Sequence, residues 1–248
     1  MNEVINLLQN HRSFREYKAD PVTDEQLETI VTSAMAAANW INGQQVTVIE
    51  VQDKPKKAKL AKLVGNQAYV DEAPVFLVFC IDYYRAKLAA EKNNTTIKVT
   101  DSVEALLTGA TDVGIALGNA IAAAESMGLG TVPIGGIRKN PLDVIKLLDL
   151  PEYVFPISGL VVGHPKNDSA TKPRLPLEAV YHKEQYHKEN LEYLINQYDE
   201  TMENYIRERT NGAQSRNWSS GVANFYSNAY KGFLDVSSAL KKQGFHND

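Results

Sequence analysis

The stretch from residue 102 to 127 leaves this chain the fewest choices. It is largely apolar, free of proline, and carries Gly109, Ala110, Gly114, Ala116, Gly118 and Ala122. It reads as one long helix. A glycine inside a helix costs about 1 kcal/mol relative to alanine, so three of them imply a neighbour that must come close to the helix backbone. A symmetry-related helix or a flat cofactor would suit such a face. Asp112 and Asn119 fall inside the stretch, which argues for a buried core helix over a membrane span.

The segments around it read as both helix and strand. Thr23 is an N-cap with Gln26 as its capping-box partner, opening a helix to about Ala38 with Leu27, Ile30, Val31, Ala34 and Ala38 along one face. Asn42-Gly43 turns the chain into a strand over 46–51. Residues 55–64 read as a basic amphipathic helix with solvated lysines, and 65–70 as a loop. The apolar run 75–81 is a buried strand, so its Cys80 is a packing residue and not a nucleophile. Asn93-Asn94-Thr95-Thr96 marks a further loop. Past the long helix come a strand at 131–134, a glycine turn, a helix opened by Asn140-Pro141, and a strand at 154–162. Residues 177–248 show no strand pattern. They are helical, too weakly amphipathic for a core of their own, and are expected to pack over the domain or a partner subunit.

Charge and cysteine usage narrow the partners. Thirty acidic residues against 26 Lys and Arg, with a net charge of -4, argue against nucleic acid. One cysteine excludes an internal disulfide framework and suits a reducing compartment. Met1-Asn2-Glu3-Val4 lacks the pattern of an export leader, so a cytoplasmic location is expected.

Most familiar chemistries find no motif here. The histidines (11, 164, 182, 187 and 246) have no metal-site spacing, and His182 and His187, five apart, would fall on different faces of a helix. There is no GxSxG elbow, no Walker loop and no dinucleotide-fold glycine fingerprint. What remains is anion chemistry. His11-Arg12-Ser13-Phe14-Arg15-Glu16-Tyr17 gathers two guanidinium groups, an imidazole and a hydroxyl, a set that can grip a phosphate. A solvated basic face is the plain alternative. A second basic pair, Lys172 and Arg174, flanks Pro173, and between the two lies the glycine turn Pro133-Ile134-Gly135-Gly136-Ile137-Arg138.

Together with Asn42-Gly43-Gln44-Gln45 and Gly65-Asn66-Gln67-Ala68-Tyr69-Val70, these motifs occur in the order found in the nitroreductase family. The chain resembles in particular that family's NADPH-linked flavin reductase branch. Ala38, Asn39 and Trp40 stand where many members carry Pro-Thr-Ser.

The resemblance implies an α+β fold: a nitroreductase-like sandwich with a mixed central β-sheet flanked by helices. It suggests a flavin-binding core over 1–176 and a helical arm over 177–248. It implies tightly bound FMN, NADPH as hydride donor, and free flavin, quinone or nitroaromatic acceptors served by a ping-pong mechanism in a homodimer. His11, Arg12 and Ser13, with Lys172 and Arg174, would hold the FMN phosphate. Arg15 would face the flavin N1 and C2 carbonyl, where charge collects on reduction. Asn42 and Gln67 would read the pyrimidine edge, and the backbone at Gly135 and Gly136 would face N5 or O4. Arg209 and Arg216 would recognise the 2′-phosphate of NADPH, although Arg207 and Arg209 have Glu203 and Glu208 as alternative partners. No side-chain acid or base is demanded, so no catalytic residue is assigned. Three other readings remain open. They are an oxygen-using flavin-fragmenting or dehalogenating enzyme on the same scaffold, a non-catalytic flavin-binding protein, and a helical module that binds an acidic partner.

Overall fold

In the computed structural model, which describes residues 2–246, four strands carry the core. They are β1 (Val46–Val51), β2 (Val75–Asp82), β3 (Gly130–Ile134) and β4 (Val154–Gly163), in the sheet order β1-β2-β4-β3. All three ladders are antiparallel. The mixed sheet implied by the resemblance is therefore simpler here: among the described residues, parallel pairing is confined to an isolated bridge between Ser13 and Thr131. The reason is connectivity. β1 lies beside β2 and β3 beside β4, and β4 inserts between β2 and β3, so that every strand runs opposite to its neighbour. Every residue of β2 is buried, the apolar run 75–81 as expected and Asp82 with it.

Among the described residues there are ten α-helices. They are α1 (Glu3–Gln9), α2 (Asp24–Met35), α3 (Lys54–Leu63), α4 (Ala68–Glu72), α5 (Tyr84–Lys92), α6 (Glu104–Ser126), α7 (Pro141–Leu148), α8 (Leu191–Arg209), α9 (Trp218–Ser227) and α10 (Val236–Lys242). Of these, α8 and α9 belong to the chain's second unit. α6 packs against all four strands and α2 packs against α6. The glycines of α6 divide between two tasks. A Cβ on Gly109 would come within 2.7 Å of the Ile81 side chain, so this glycine admits the sheet. Nothing lies within 4 Å of a Cβ at Gly114 or Gly118, and Leu107 and Ile115 are exposed on the same helix, as is Val103 at its N-cap. The inner face is thus satisfied by this chain and the outer one is not.

Several local expectations are corrected. α2 has the capping box, with Gln26 N–H donating to Thr23 Oγ1 at 3.2 Å and Thr23 N–H to Gln26 Oε1 at 3.0 Å. It ends at Met35, however, and Ala37 is buried where Ala38 was expected. Left-handed backbone at Ile41 (φ 50), Asn42 (φ 56) and Gln44 (φ 50) reverses the chain there. Asp112, buried in α6, accepts the Trp40 N–H at 3.1 Å and ties this turn down. In α3 the lysines are not all solvated. Lys57 is buried and its Nζ donates to the carbonyls of Ala73 and Pro74, with burial lowering its pKa. Those carbonyls follow α4, a helix where a loop was expected. α5 is a helix where none was expected, and Asp82 opens it by accepting the Tyr84 N–H at 2.9 Å.

The chain divides into two compact units, residues 1–169 with 233–248, and residues 170–232. This differs from a single break after residue 176. The segment beyond 232 returns to the first unit because it has apolar groups to bury. Ala239, Leu240 and Phe245 are buried, and the Phe245 ring meets Tyr83 edge-on at 6.2 Å.

Candidate active site

The basic stretch near the N-terminus is seated on the end of the sheet. Phe14 N–H donates to Thr131 O at 2.9 Å, Lys18 N–H to His164 O at 2.9 Å, and Lys166 N–H to Glu16 O at 3.0 Å. Gly130 and Gly163 pair across β3 and β4 at this place. A Cβ on Gly130 would come within 2.8 Å of the Phe14 ring, and one on Gly163 within 2.9 Å of Tyr17. Bare backbone therefore lets both rings settle against the sheet, and so fixes the polar residues around them. Tyr17 donates its hydroxyl to Phe14 O at 2.7 Å. Burial pushes the Tyr17 pKa up, Arg15 opposes this, and Tyr69 and Glu125 add to it. Arg15, Tyr69 and Glu125 thus lie within electrostatic reach of one hydroxyl.

Each basic residue has a distinct setting. His11 Nδ1 meets Glu125 Oε1 at 2.8 Å. Arg12 Nη2 pairs with Asp168 Oδ1 at 2.6 Å, its guanidinium lies 5.7 Å from the Phe14 ring centre, and its Nε is buried without a hydrogen-bond partner. Ser13 bridges to Thr131, and Arg15 is exposed.

Gln67, at the N-cap position of α4, donates from Nε2 to Val64 O at 3.0 Å, and its Oε1 accepts from the Tyr69 hydroxyl. One N–H and one lone pair of that amide remain for a ligand. Gly136 lies hard against the same residues: its Cβ would sit 2.2 Å from Val64 O and 3.0 Å from Gln67 Nε2. At Gly135 the space is open except for Arg138 Nη2 at 3.7 Å. Arg138 donates to Ile157 O, and burial lowers its pKa. Through Tyr17, Tyr69 and Gln67, the stretch at 11–17 and the glycine turn belong to one locality.

Asn42 does not join them. It precedes β1, one edge of the sheet, whereas Gly135 and Gly136 follow β3, the other edge. Three strand spacings separate those edges, roughly 14 Å. The Asn42 amide oxygen accepts from Gln44 Nε2 at 3.4 Å instead. The shared edge-reading expected of Asn42 and Gln67 is therefore not made within one chain.

In the second unit, Lys172 and Arg174 flank Pro173, whose carbonyl accepts the Tyr198 hydroxyl at 2.8 Å. Tyr198 packs edge-on against Trp218 at 5.7 Å, so α8 and α9 together fix the backbone between the two cations. Burial raises the Tyr198 pKa and Arg174 opposes it. Arg209 ends α8, and Arg216 stands just before Asn217, the N-cap of α9. The turn between them is ordered by Gly212 N–H on Arg207 O at 2.8 Å and by Gln214 N–H on Thr210 Oγ1 at 3.0 Å. Arg207 reaches Glu203 only at 4.0 Å, and no ion pair engages Arg209 or Arg216 among the described residues. His182 and His187 lie outside any helix, and their rings approach to 6.2 Å, against the expectation that they would part.

Sequence reasoning missed Glu125, Thr131, Tyr69 and Arg138. Glu125 carried one available signal: a carboxylate in the last turn of a helix is placed against the helix dipole and calls for a compensating partner.

Known proteins resemble this chain over its whole length. Residues 8–164 match the nitroreductase family, and residues 172–248 match the nitroreductase family C-terminal domain. The chain is 53% identical over 247 residues to a Bacillus subtilis protein named FMN reductase (NAD(P)H), covering 99% of this chain and 98% of that one. It is 43% identical over 222 residues to the NADPH-flavin oxidoreductase of Vibrio harveyi, covering 90% of each. The solved structure of NfrA2 from B. megaterium superposes with a TM-score of 0.97 at 58% identity over the whole of both chains. Fold, ordered motifs and relatives converge, and the chain belongs to the nitroreductase family, in its flavin reductase branch.

Proposed function

We propose that this protein is an FMN-dependent NADPH oxidoreductase that reduces free flavins, quinones or nitroaromatic compounds. The observation that carries the reading is the buried, unpartnered Nε of Arg12 within a stretch that also presents His11, Ser13 and Arg15. A guanidinium left incomplete in this way fits an anionic ligand, because an unpaired buried donor is costly. The open side of Gly135 offers bare backbone to a flat ring. When bound, FMN supplies hydride transfer, accepting from NADPH and giving to a second substrate in turn. His11, Arg12 and Ser13 would hold its phosphate, and Lys172 and Arg174 offer a further pair of cations to an anion. Arg15 stabilises negative charge at the pyrimidine end, where Gln67 offers its spare N–H. Arg209 and Arg216 select NADPH by its 2′-phosphate, a reading supported by the names NADPH-flavin oxidoreductase and FMN reductase among the relatives.

We infer a homodimer as well. Its support is the uncovered outer face of α6, with Leu107 59% exposed beside the bare Gly114 and Gly118, and the exposed Met35, Trp40 and Ile41 nearby in sequence to Asn42. Asn42 reaches a flavin only in a second copy. A cytoplasmic location follows from the choice of NADPH as donor and from Cys80, a buried free thiol. The test is direct. Purified protein should be yellow, hold about one FMN per chain, and oxidise NADPH when free FMN is added; Arg15→Ala should weaken flavin binding or slow its reduction. Full flavin and normal rates in both Arg15→Ala and Lys172→Ala would sink the assignment.

A further inference from the structure

Glu125 occupies a position that is unfavourable for a carboxylate in two respects. Its side chain is 11% exposed, and it stands in the last turn of α6, where the helix dipole is negative. One of its oxygens, Oε1, nevertheless takes two donors: Thr131 Oγ1 at 2.8 Å and His11 Nδ1 at 2.8 Å. Thr131 is fully buried, and its own carbonyl accepts the Phe14 N–H. One residue pair from α6 and β3 therefore grips both the imidazole and the backbone of the stretch that follows it. A carboxylate accepts and cannot donate, so Nδ1 must carry the proton. That leaves Nε2 as the nitrogen free to face a ligand, and it makes no hydrogen bond among the described residues.

We propose that Glu125, anchored by Thr131, is a positioning residue that turns His11 Nε2 toward the phosphate of the bound flavin. This rests on the flavin reading above. Glu125 touches no ligand itself; it sets which ring nitrogen faces outward and holds the ring still, much as carboxylates orient the histidines of metal sites. Arg12 and Arg15 carry charge in the same stretch, but Arg12 is paired with Asp168 and no hydrogen bond ties Arg15 to Glu125 among the described residues.

The experiment compares two ligands that differ only by the phosphate. Full-length protein stripped of flavin is titrated with FMN and with riboflavin, following flavin fluorescence. Glu125→Ala should lose about tenfold or more in FMN affinity, the size expected for one hydrogen bond to a charged group, while riboflavin affinity changes less than about twofold. His11→Ala should show the same pattern, and the double variant should lose no more than His11→Ala alone. If Glu125→Ala does not fold, Glu125→Gln serves in its place, with the same selectivity at smaller amplitude. Equal losses for FMN and riboflavin, additive losses in the double variant, or no loss at all would each overturn the proposal. A wild-type protein that binds riboflavin as tightly as FMN would instead overturn the phosphate reading itself.

Discussion

Gly136→Ala offers a sharp test of how the glycine turn works, because its consequence can be sized from the structure. The added methyl would lie 2.2 Å from Val64 O, and that oxygen already accepts from Gln67 Nε2. A carbon and a carbonyl oxygen need at least ~3.3 Å, so one of the two backbones must retreat by roughly 1 Å. Neither is a flexible side-chain tip. Overpacking of this kind costs about 1–3 kcal/mol, and for a chain of this size each kcal/mol moves the melting temperature by ~2–4 °C. The expected fall is therefore ~2–12 °C in flavin-free protein by differential scanning fluorimetry. Displacing Gln67 by about 1 Å should also cost ~100-fold in turnover. Gly135→Ala is the control, since its methyl would meet nothing closer than Arg138 Nη2 at 3.7 Å. It should leave flavin-free stability within about 0.5 kcal/mol and yet weaken FMN binding, because it fills the open side of the turn. If Gly136→Ala melts with the wild type and binds FMN normally, or if Gly135→Ala is as unstable as Gly136→Ala, the reasoning fails.

Three further outcomes are expected. Stability should fall at alkaline pH: burial raises the pKa of the Cys80 thiol above its ordinary 9.0 and that of Tyr17 above 10.0, so the unfolded chain loses these protons first and stability declines as pH climbs past about 9. Lys57, whose pKa is lowered from 10.5, works the other way as pH approaches that value. Cys80→Ala should start from a lower melting temperature but decline less between pH 9 and 10; an unchanged slope would remove Cys80 from the account. The uncovered face of α6 predicts that Leu107→Glu with Ile115→Glu yields a monomer in sedimentation velocity, and a dimer that survives both changes would exclude this face. Replacing Arg209 and Arg216 with Ala should raise the Michaelis constant for NADPH about tenfold or more, ~1.4 kcal/mol, and leave that for NADH nearly unchanged. Equal losses would mean the loop shapes the pocket without reading the phosphate.

What the sequence disclosed depended on whether the signal was local. Thr23 and Gln26 announce a helix start by their own side chains, Pro141 starts α7 by its fixed φ, and the unbroken apolar run of β2 has no other use. The ordered motifs likewise marked the residues at 11–17, 67 and 135–136 before their contacts were known. Lys57 shows the opposite case: among so many lysines nothing in the chain tells that this one lies beside two carbonyls that need a donor. Asn42 and Gln67 share an expected task, but Asn42 precedes the edge strand β1 while Gln67 lies against Gly136, which follows the opposite edge strand β3, a matter of strand order that no spacing reveals. Glu125 met His11 across 114 positions of chain. Pairings of that range follow from topology, and topology follows from the packing of all elements at once.

The return of residues 233–246 to the first unit bears on the timing of synthesis. Phe245, fully buried, and Gln243, which donates to the carbonyls of Pro151 and Val154 and whose own carbonyl accepts from Tyr153 N–H, complete a structure begun by strands at the other end of the message. Residues 170–232 must be translated in between, which at 5–20 residues per second takes ~3–13 s. Throughout that interval the nascent first unit has its sheet but lacks its closing piece, and the apolar surface awaiting Phe245 stands open beside Tyr83. A ribosome stalled within that window would hold out an unfinished core to chaperones and proteases, so codon choice across 170–232 should influence yield in a way that codon choice before β4 does not.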